Sequence, residues 1–401
     1  MRIVRVALAA GVFTAALVVG ATARADVSTT NPAGLVVFPG IFVFQTVDTE
    51  IQLSNTSPDP IHVRCYLVNA NAHCSNSPTT VCDDTSGRGC EGGFCLPGWT
   101  ETDFRFTLTK FQPIVWRISQ GLPFFPIDGL NHTTQDGQYN ADSSIPPAPE
   151  FPFQGELKCF QVNENEEPVA RNDLKGEATL VIFDEGEVDA AEYNAVGIQA
   201  TDFNDGNDTL CLGGTEPTEE CPQPEYNGCP AVLILDHFFD FAPEPVNGDF
   251  VVTFLNLVPC SEDFLTQTNV KTTLQFLVFN EFEQRFSTSR RVDCFFFTQL
   301  ADIDTRPEGF EGGGNAVRAF SGKGAPSDDD TSIFSVFVEG TLTGQTRIRP
   351  VQTGETNVGH GQVGMALEFQ IARDVGQYTS AFQLDQAGTR TQGDIIRAPR
   401  Q

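Results

Sequence analysis

The sequence lacks the motifs that identify the common classes of enzyme and cofactor site. Its five histidines are scattered, and no Cys-x-x-Cys pair occurs, which argues against a zinc ribbon. It has no P-loop, no His-Glu-x-x-His and no Gly-x-Ser-x-Gly motif, and no glycine-rich segment in the strand-to-helix context that phosphate binding requires. No catalytic residue can therefore be assigned from a motif.

Positive charge is also scarce. Lys and Arg number 24 against 53 Asp and Glu, which gives a formal net charge of −29 at pH 7. Residues 1–25 contain three arginines and no acidic residue, so their removal takes the net charge to −32. Such a surface repels nucleic acid and anionic membranes, and neither is expected as a partner. It favours solubility and attracts divalent cations.

Long apolar runs are confined to the first residues. Arg2 and Arg5 precede an apolar stretch from Val6 to Gly20, and Ala23-Arg24-Ala25 supplies the small-x-small pattern of a signal peptidase site. We expect a signal peptide over residues 1–25 and an exported protein that is secreted, periplasmic or at the cell surface. No later apolar segment reaches the ~20 residues of a spanning helix, so no membrane span is expected after cleavage.

The remaining chain has the pattern of an all-β protein. Phenylalanine is abundant, with 34 Phe against five Tyr and two Trp, which is enough apolar material for sizeable cores. Apolar and polar residues alternate over Val47–Ser54 and Phe104–Lys110, whereas Leu274–Phe279 is apolar on both faces. Helical signals are almost absent. We predict two antiparallel, immunoglobulin-like β-sandwich domains, with one large closed sheet as the alternative.

A Pro- and Gly-containing segment, Ala242–Gly248, has the composition of a linker. We therefore expect one β-sandwich domain over residues 26–241 and a second over residues 249–401. Two long insertions interrupt the first domain, Gly121–Pro152 and Asp202–Gly228. Loops of this length are either functional or loosely ordered.

Eleven cysteines in an exported chain predict five disulfides and one odd thiol. The four-cysteine loop between Cys74 and Cys95 has almost no apolar residues, so two bridges must hold it, and we prefer the crossed pairing among the three that sequence permits. Cys65 and Cys159 lie at apolar positions of two strands, which suggests an inter-sheet bridge of the immunoglobulin kind. Cys260 and Cys294 flank a predicted hairpin. The expected pairs are Cys65–Cys159, Cys74–Cys90, Cys82–Cys95, Cys211–Cys229 and Cys260–Cys294, with Cys221 as the odd thiol.

The second insertion contains a segment rich in side-chain oxygens, Asp202-Phe203-Asn204-Asp205-Gly206-Asn207-Asp208. Calcium takes roughly six to eight oxygen ligands, so Asp202, Asn204, Asp205 and Asp208 are candidate calcium ligands. The spacing differs from an EF-hand loop, whose sixth position is glycine but is Asn207 here. A solvated acidic turn is the structural alternative, and no other cofactor is indicated.

Candidate acid–base groups are few. Asp302 and Asp304 would share one face of a strand, and paired carboxylates are what glycoside hydrolysis requires. His237 lies between Asp236 and Asp240, but both carboxylates would point away from it in a strand. His360 lies in a Gly-His-Gly loop. A structural role is expected for both histidines.

Two features together resemble a group of known sequences. The stretch Val63–Trp99, with its Val-Asn-Ala-Asn-Ala-His-Cys motif and four-cysteine loop, is similar to segments of exported bacterial cysteine-containing β-sandwich proteins with no assigned function. Asn280–Arg291 and Gly340–Thr346 add to the resemblance. It implies a bacterial envelope setting and carries no catalytic residue.

The leading hypothesis is a non-enzymatic secreted or cell-surface protein that acts in binding, adhesion or surface structure. It would use its inserted loops or an open sheet edge, with a protein or glycan at the cell surface as partner. A carbohydrate-active hydrolase with paired carboxylates and a calcium-dependent binding module are the alternatives.

Overall fold

The computed structural model describes residues 27–82, 90–96, 98–122, 145–184, 187–243, 249–268, 270–305, 331–339, 342–353, 359–372 and 376–400. The expected signal peptide, most of the first insertion, the centre of the four-cysteine loop and residues 244–248 of the expected linker lie outside these ranges. Within them, no helical segment has the length and hydropathy of a membrane span.

The described chain is all-β, with nearly all strand pairs antiparallel and only a 3-10 turn (Leu300–Asp302) and a short helix α1 (Val336–Glu339) besides. The strands before residue 220 are β1 (Val27–Ser28), β2 (Leu35–Val43), β3 (Val47–Asn55), β4 (Ile61–Asn69), β5 (His73–Cys74), β6 (Ser77–Val81), β7 (Cys95–Leu96), β8 (Thr100–Leu108), β9 (Pro113–Arg117), β10 (Phe153–Val162), β11 (Leu174–Asp184), β12 (Glu187–Asn194), β13 (Val196–Ile198) and β14 (Thr209–Leu212). The later strands are β15 (Pro230–Phe238), β16 (Phe250–Pro259), β17 (Glu262–Asp263), β18 (Lys271–Asn280), β19 (Arg285–Asp293), β20 (Phe296–Gln299), β21 (Thr343–Val351), β22 (Gln362–Ala372), β23 (Gly376–Gln383), β24 (Asp385–Thr389) and β25 (Asp394–Arg397).

Two sheets pack on each other in the first half of the chain. Their strand orders are β1-β13-β2-β10-β4-β8 and β12-β11-β3-β9. The alternation of apolar and polar residues explains the packing, because β3 buries Val47, Ile51 and Leu53 while its intervening side chains are more exposed. The Trp116 ring on β9 meets the Phe106 ring on β8 edge-on, which joins the two sheets.

The second half contains a five-stranded sheet, β19-β18-β21-β15-β24, packed on a four-stranded sheet, β20-β16-β22-β23. Strand β16 is buried on both faces. Leu255 and Leu257 belong to the apolar core shared with the five-stranded sheet, whereas Phe254 and Val258 belong to the core of the first half. The four-stranded sheet therefore lies between two cores.

One apolar core crosses the expected boundary between the two halves. The rings of Phe42 on β2 and Phe297 on β20 lie 4.8 Å apart between centroids, and both residues belong to the same buried cluster. Asn256 Nδ2 donates a hydrogen bond to the Pro39 carbonyl oxygen at 2.8 Å across this contact. The division into domains at residues 242–248 stays a prediction, and the two halves share buried surface.

Five disulfides join the described cysteines, and three of them have the expected partners: Cys65–Cys159, Cys74–Cys90 and Cys82–Cys95. The position of the Cys65–Cys159 bridge in the fold differs from the one expected. Cys65 and Cys159 are directly opposite each other on β4 and β10, which are neighbours in one sheet. The bridge is therefore cross-strand within a sheet and does not join two sheets in the immunoglobulin manner.

Two expected pairs are wrong. Cys211 is bonded to Cys221 and not to Cys229, and Cys260 is bonded to Cys229 and not to Cys294. Cys294 lies at the end of the β18–β19 hairpin, where its N–H donates to the Val270 carbonyl oxygen, whereas Cys260 directly follows β16, which belongs to another sheet. Cys294, and not Cys221, is the free cysteine, and it is buried.

Candidate functional site

A cavity of about 970 Å³ lies where the second insertion meets the C-terminal strand. Most of its lining comes from residues 213–224 of the insertion, from residues 261–263, 268 and 270–271, and from residues 391–397, and Gln352 and His360 complete it. Cavities of this size bind small molecules or short segments of larger ones. The insertion therefore forms a wall of the cavity and does not simply extend from the sheets.

Pairing, a disulfide and ion pairs hold that wall in place. Strand β14, at the start of the wall, pairs with β25, and Cys211 on it is bonded to Cys221. Arg397 on β25 donates from Nε and Nη2 to the two Glu220 carboxylate oxygens at 2.5 and 2.8 Å, and from Nη1 to Asp263 Oδ2 at 2.8 Å. The hydrogen bond with Glu220 raises the pKa of Arg397 above its ordinary value. This forked geometry orients the insertion on the C-terminal strand.

A buried carboxylate anchors the other side of the insertion. The Glu225 side chain accepts the backbone N–H of Asp205 and that of Cys211, each at 3.1 Å. Burial is the largest influence on Glu225 and raises its pKa. The carboxylate thereby links the oxygen-rich turn to strand β14.

The candidate calcium ligands do not form a converging oxygen cage. Asn204 Oδ1 accepts the Gly206 N–H, and the Asp205 carboxylate accepts the N–H and side-chain amide of Asn207. Asp208 Oδ1 accepts Arg400 Nε at 2.5 Å, so a guanidinium occupies the position that a cation would take. The exposed Asp202 stands apart from these bonds. The geometry is that of a turn closed by its own hydrogen bonds.

The described residues contain two groups of three His, Cys or carboxylate ligand atoms within 4.8 Å of one another. One consists of Cys74, Cys82 and Cys90, and the other of Cys229, Cys260 and Asp394. Every sulfur in them belongs to a disulfide. Metal binding needs thiolates, so these groups do not offer the required ligands.

Ser261, His360 and Asp394 form a hydrogen-bonded group in the cavity wall. Ser261 Oγ lies 2.9 Å from Asp394 Oδ1 and 2.9 Å from His360 Nδ1, and it accepts the Ile395 N–H. The same imidazole nitrogen lies 3.6 Å from Asp394 Oδ1. In an acyl-transfer triad the imidazole stands between serine and carboxylate and uses a different nitrogen for each. This group therefore joins loop ends to β25 and lacks the triad arrangement.

The other acid–base candidates have structural partners. His237 Nε2 lies 2.8 Å from Thr346 Oγ1, and burial lowers its pKa to about 4. Asp302 lies in a 3-10 turn and not in the expected strand, so it does not share a strand face with Asp304. The Asp304 carboxylate accepts the Ser332 hydroxyl at 2.6 Å and a backbone N–H at 2.9 Å.

The Val-Asn-Ala-Asn-Ala-His-Cys segment also has a structural explanation. Asn69 Nδ2 and Asn71 Nδ2 each lie 2.6 Å from Glu150 Oε1, and His73 Nε2 lies 2.9 Å from Glu150 Oε2. Burial raises the pKa of Glu150, but these hydrogen bonds outweigh it and leave the pKa below its ordinary value. Alternate residues of the segment thus hold one carboxylate beside the four-cysteine loop.

A buried charged cluster lies beneath the cavity, because Glu262 lines the cavity and also contacts Lys158. Lys158 Nζ lies 2.7 Å from Glu156 Oε2 and 3.2 Å from Glu262 Oε1, and all three side chains are at most 1% exposed. Burial raises the pKa of Glu156 to about 8, with Lys158 opposing this shift and Glu262 adding to it. Burial lowers the pKa of Lys158, but the two carboxylates outweigh it, so the pKa lies above its ordinary value.

Sequence reasoning did not identify this cluster. Strand β10 alternates Leu157 and Cys159 with Glu156 and Lys158, which is the pattern of a strand with one face in water. The second half of the chain covers that polar face and contributes Glu262. No family model and no curated protein matches the chain, so the site is described by its own geometry.

Proposed function

We propose that this protein acts by binding a ligand in the cavity between its second insertion and its C-terminal strand, without catalysing a reaction. The observation that carries the proposal is that Arg397 and the Cys211–Cys221 bridge fix the insertion as a cavity wall. A loop held in this way keeps its shape before the ligand arrives, and this reduces the ordering cost of binding.

The lining favours an extended polar ligand such as a peptide segment. Hydroxyl and carboxamide side chains, prolines and glycines make up most of the lining, including Thr215, Thr268, Gln392 and Pro217. The described lining residues include no Phe, Tyr or Trp ring on which a sugar could stack. Main-chain amide groups of a peptide can bond to hydroxyl and carboxamide side chains without adding net charge. A peptide is therefore preferred to a glycan.

The proposal also includes the cellular location of the protein. Five disulfides fit an oxidising compartment, and we propose that the protein is secreted, periplasmic or at the cell surface, as expected from residues 1–25. We also propose that its sheets form immunoglobulin-like sandwiches. The hydrolase alternative receives no support, because Asp302 and Asp304 are not arranged as a pair.

Blocking the cavity tests the proposed function. Gln392 is exposed in the lining, and Gln392→Trp places a large ring there, whereas Ser287→Trp adds the same ring at an exposed position on β19. Peptide and glycan libraries are screened with the mature protein, and affinities of the peptides found are measured by calorimetry. We expect Gln392→Trp to weaken them by tenfold or more, about 1.4 kcal/mol, and Ser287→Trp to leave them unchanged.

Two results would contradict this proposal. One is a library ligand that binds the Gln392→Trp variant as tightly as the unsubstituted protein. The other is a set of ligands made up of glycans alone.

A further inference from the structure

The buried cluster of Glu156, Lys158 and Glu262 is built from both halves of the chain. Glu156 and Lys158 lie two residues apart on β10, and Glu262 lies on β17. The aromatic rings of Tyr66 and Phe264 stack beside it with centroids 4.0 Å apart, and Tyr66 is the cross-strand neighbour of Lys158. Surroundings of this kind exclude water from the three polar groups.

Counting protons shows why the cluster is chemically unusual. One ammonium group neutralises one carboxylate, and a second carboxylate in a dry site would leave net charge that burial strongly disfavours. The cluster is therefore neutral when one of the two glutamates is protonated. Transfer of the lysine proton to the remaining carboxylate gives an amine beside two carboxylic acids, again without net charge. Low dielectric penalises this second state less than water does.

The atoms around Glu262 are placed for acyl transfer. Lys158 Nζ lies 3.2 Å from Glu262 Oε1, so the amine is held beside the carboxyl group whose carbon it would attack. Trp99 Nε1 donates a hydrogen bond to Glu262 Oε2 at 3.1 Å, and a donor at this oxygen stabilises the negative charge that develops during attack. Glu156 Oε2 lies 2.7 Å from Nζ, which is close enough for it to carry a proton.

We propose that Lys158 and Glu262 condense to form an intramolecular amide bond. The Nζ lone pair attacks Glu262 Cδ, a C–N bond forms, and the Cδ–Oε1 bond breaks. In this amine state Glu156 is a carboxylic acid, so it gives its proton to the departing Oε1 hydroxyl, which leaves as water, and takes up the proton that the nitrogen loses. No oxidant, reductant or metal enters the balance. Trp99 then donates to the amide oxygen, and the bond covalently joins β10 to the second half.

The mass of the unsubstituted mature protein decides the question. We expect the intact protein, with its disulfides reduced, to be lighter than its sequence by one water molecule. After denaturation, trypsin should fail to cleave at Lys158, and the peptide containing Lys158 should be found joined to the peptide containing Glu262. The full sequence mass together with cleavage at Lys158 would overturn the proposal, and so would a link from Lys158 to Glu156.

Variants test the roles of the individual groups. Lys158→Met removes the nucleophile, and we expect the full mass. Glu156→Gln keeps the shape of the proton carrier without its acid–base chemistry, and we expect loss of the link in protein that circular dichroism shows to be folded. Lys175→Met, at an exposed position on β11, is the matched control and should retain the link. A folded Glu156→Gln protein that still loses water would overturn the role given to Glu156.

Discussion

Cys294 retains a thiol because the hairpin places it away from the other cysteines, and its side chain is only 2% exposed. Burial raises the pKa of this thiol well above its ordinary value, and Glu262 and Glu156 add to the shift. The thiolate is the reactive form. We predict that iodoacetamide adds no label to the native protein and one label per chain after denaturation without reduction, as measured by intact mass.

The Cys294→Ser variant serves as the control and should take no label in either state. Labelling of the native protein, or a disulfide-linked dimer on a non-reducing gel, would contradict the buried position. Cys221 was the expected odd thiol, but it is bonded to Cys211.

Asp240 gives a prediction about pH. Its carboxylate is fully buried and accepts the N–H groups of Thr253 and Ala301 and the side-chain amide of Gln299. Burial raises its pKa to about 7 from an ordinary value of 3.8. Between these values the native state binds a proton that the unfolded chain has released, so the Asp240 contribution to stability falls as pH rises.

We predict that the free energy of unfolding, relative to that of Asp240→Asn, decreases by up to about 4 kcal/mol as pH rises from 4 to 7. Urea titrations at several pH values measure both proteins. Asp236→Asn, which removes an exposed carboxylate from neighbouring β15, is the control. A difference that stays constant or grows with pH would be evidence against the assigned role of Asp240.

At the scale of elements, the sequence predicted local features better than contacts between distant segments. The crossed pairing in the four-cysteine loop followed from a short segment with too few apolar residues to fold alone. The pairing of Cys229 with Cys260 depends on β15 and β16, which belong to different sheets and meet only through tertiary packing. Nothing near either cysteine in the sequence carries that information.

The second insertion and the sheets of the first half depend on different disulfides. The Cys211–Cys221 bridge closes a short segment of the cavity wall, whereas Cys65–Cys159 is buried within a sheet and spans a sequence separation of 94 residues. We predict that Cys211→Ala/Cys221→Ala makes residues 213–224 the first site of limited proteolysis and lowers the melting midpoint less than Cys65→Ala/Cys159→Ala does.

Loss of the buried bridge should destabilise the protein by about 2–5 kcal/mol. Limited proteolysis with peptide mapping and thermal unfolding under non-reducing conditions measure the two effects. If the melting midpoint of the Cys211→Ala/Cys221→Ala protein fell further than that of the Cys65→Ala/Cys159→Ala protein, the insertion would be part of the main cooperative unit.

At the scale of the whole molecule, the all-β class was predicted by the period of two, but the relation between the halves was not. Period two assigns Leu157 and Cys159 to a core face and leaves Glu156 and Lys158 on the opposite face. It cannot show that another part of the chain covers this second face. The buried charged cluster therefore arises from the packing of the two halves on each other.

The double-faced packing of β16 leads to a prediction about cooperativity. Phe254 contacts the rings of Phe297 and Phe369 in the core of the first half, whereas Leu255 faces the core of the five-stranded sheet. Because neighbouring residues of β16 complete both cores, the unfolding of either core would expose apolar side chains of the other.

We predict a single calorimetric transition for the mature protein, with equal calorimetric and van't Hoff enthalpies. Phe254→Ala and Leu255→Ala should each destabilise that one transition by about 2–5 kcal/mol. Two transitions, each sensitive to only one of these variants, would instead establish two independent domains with a boundary at residues 242–248.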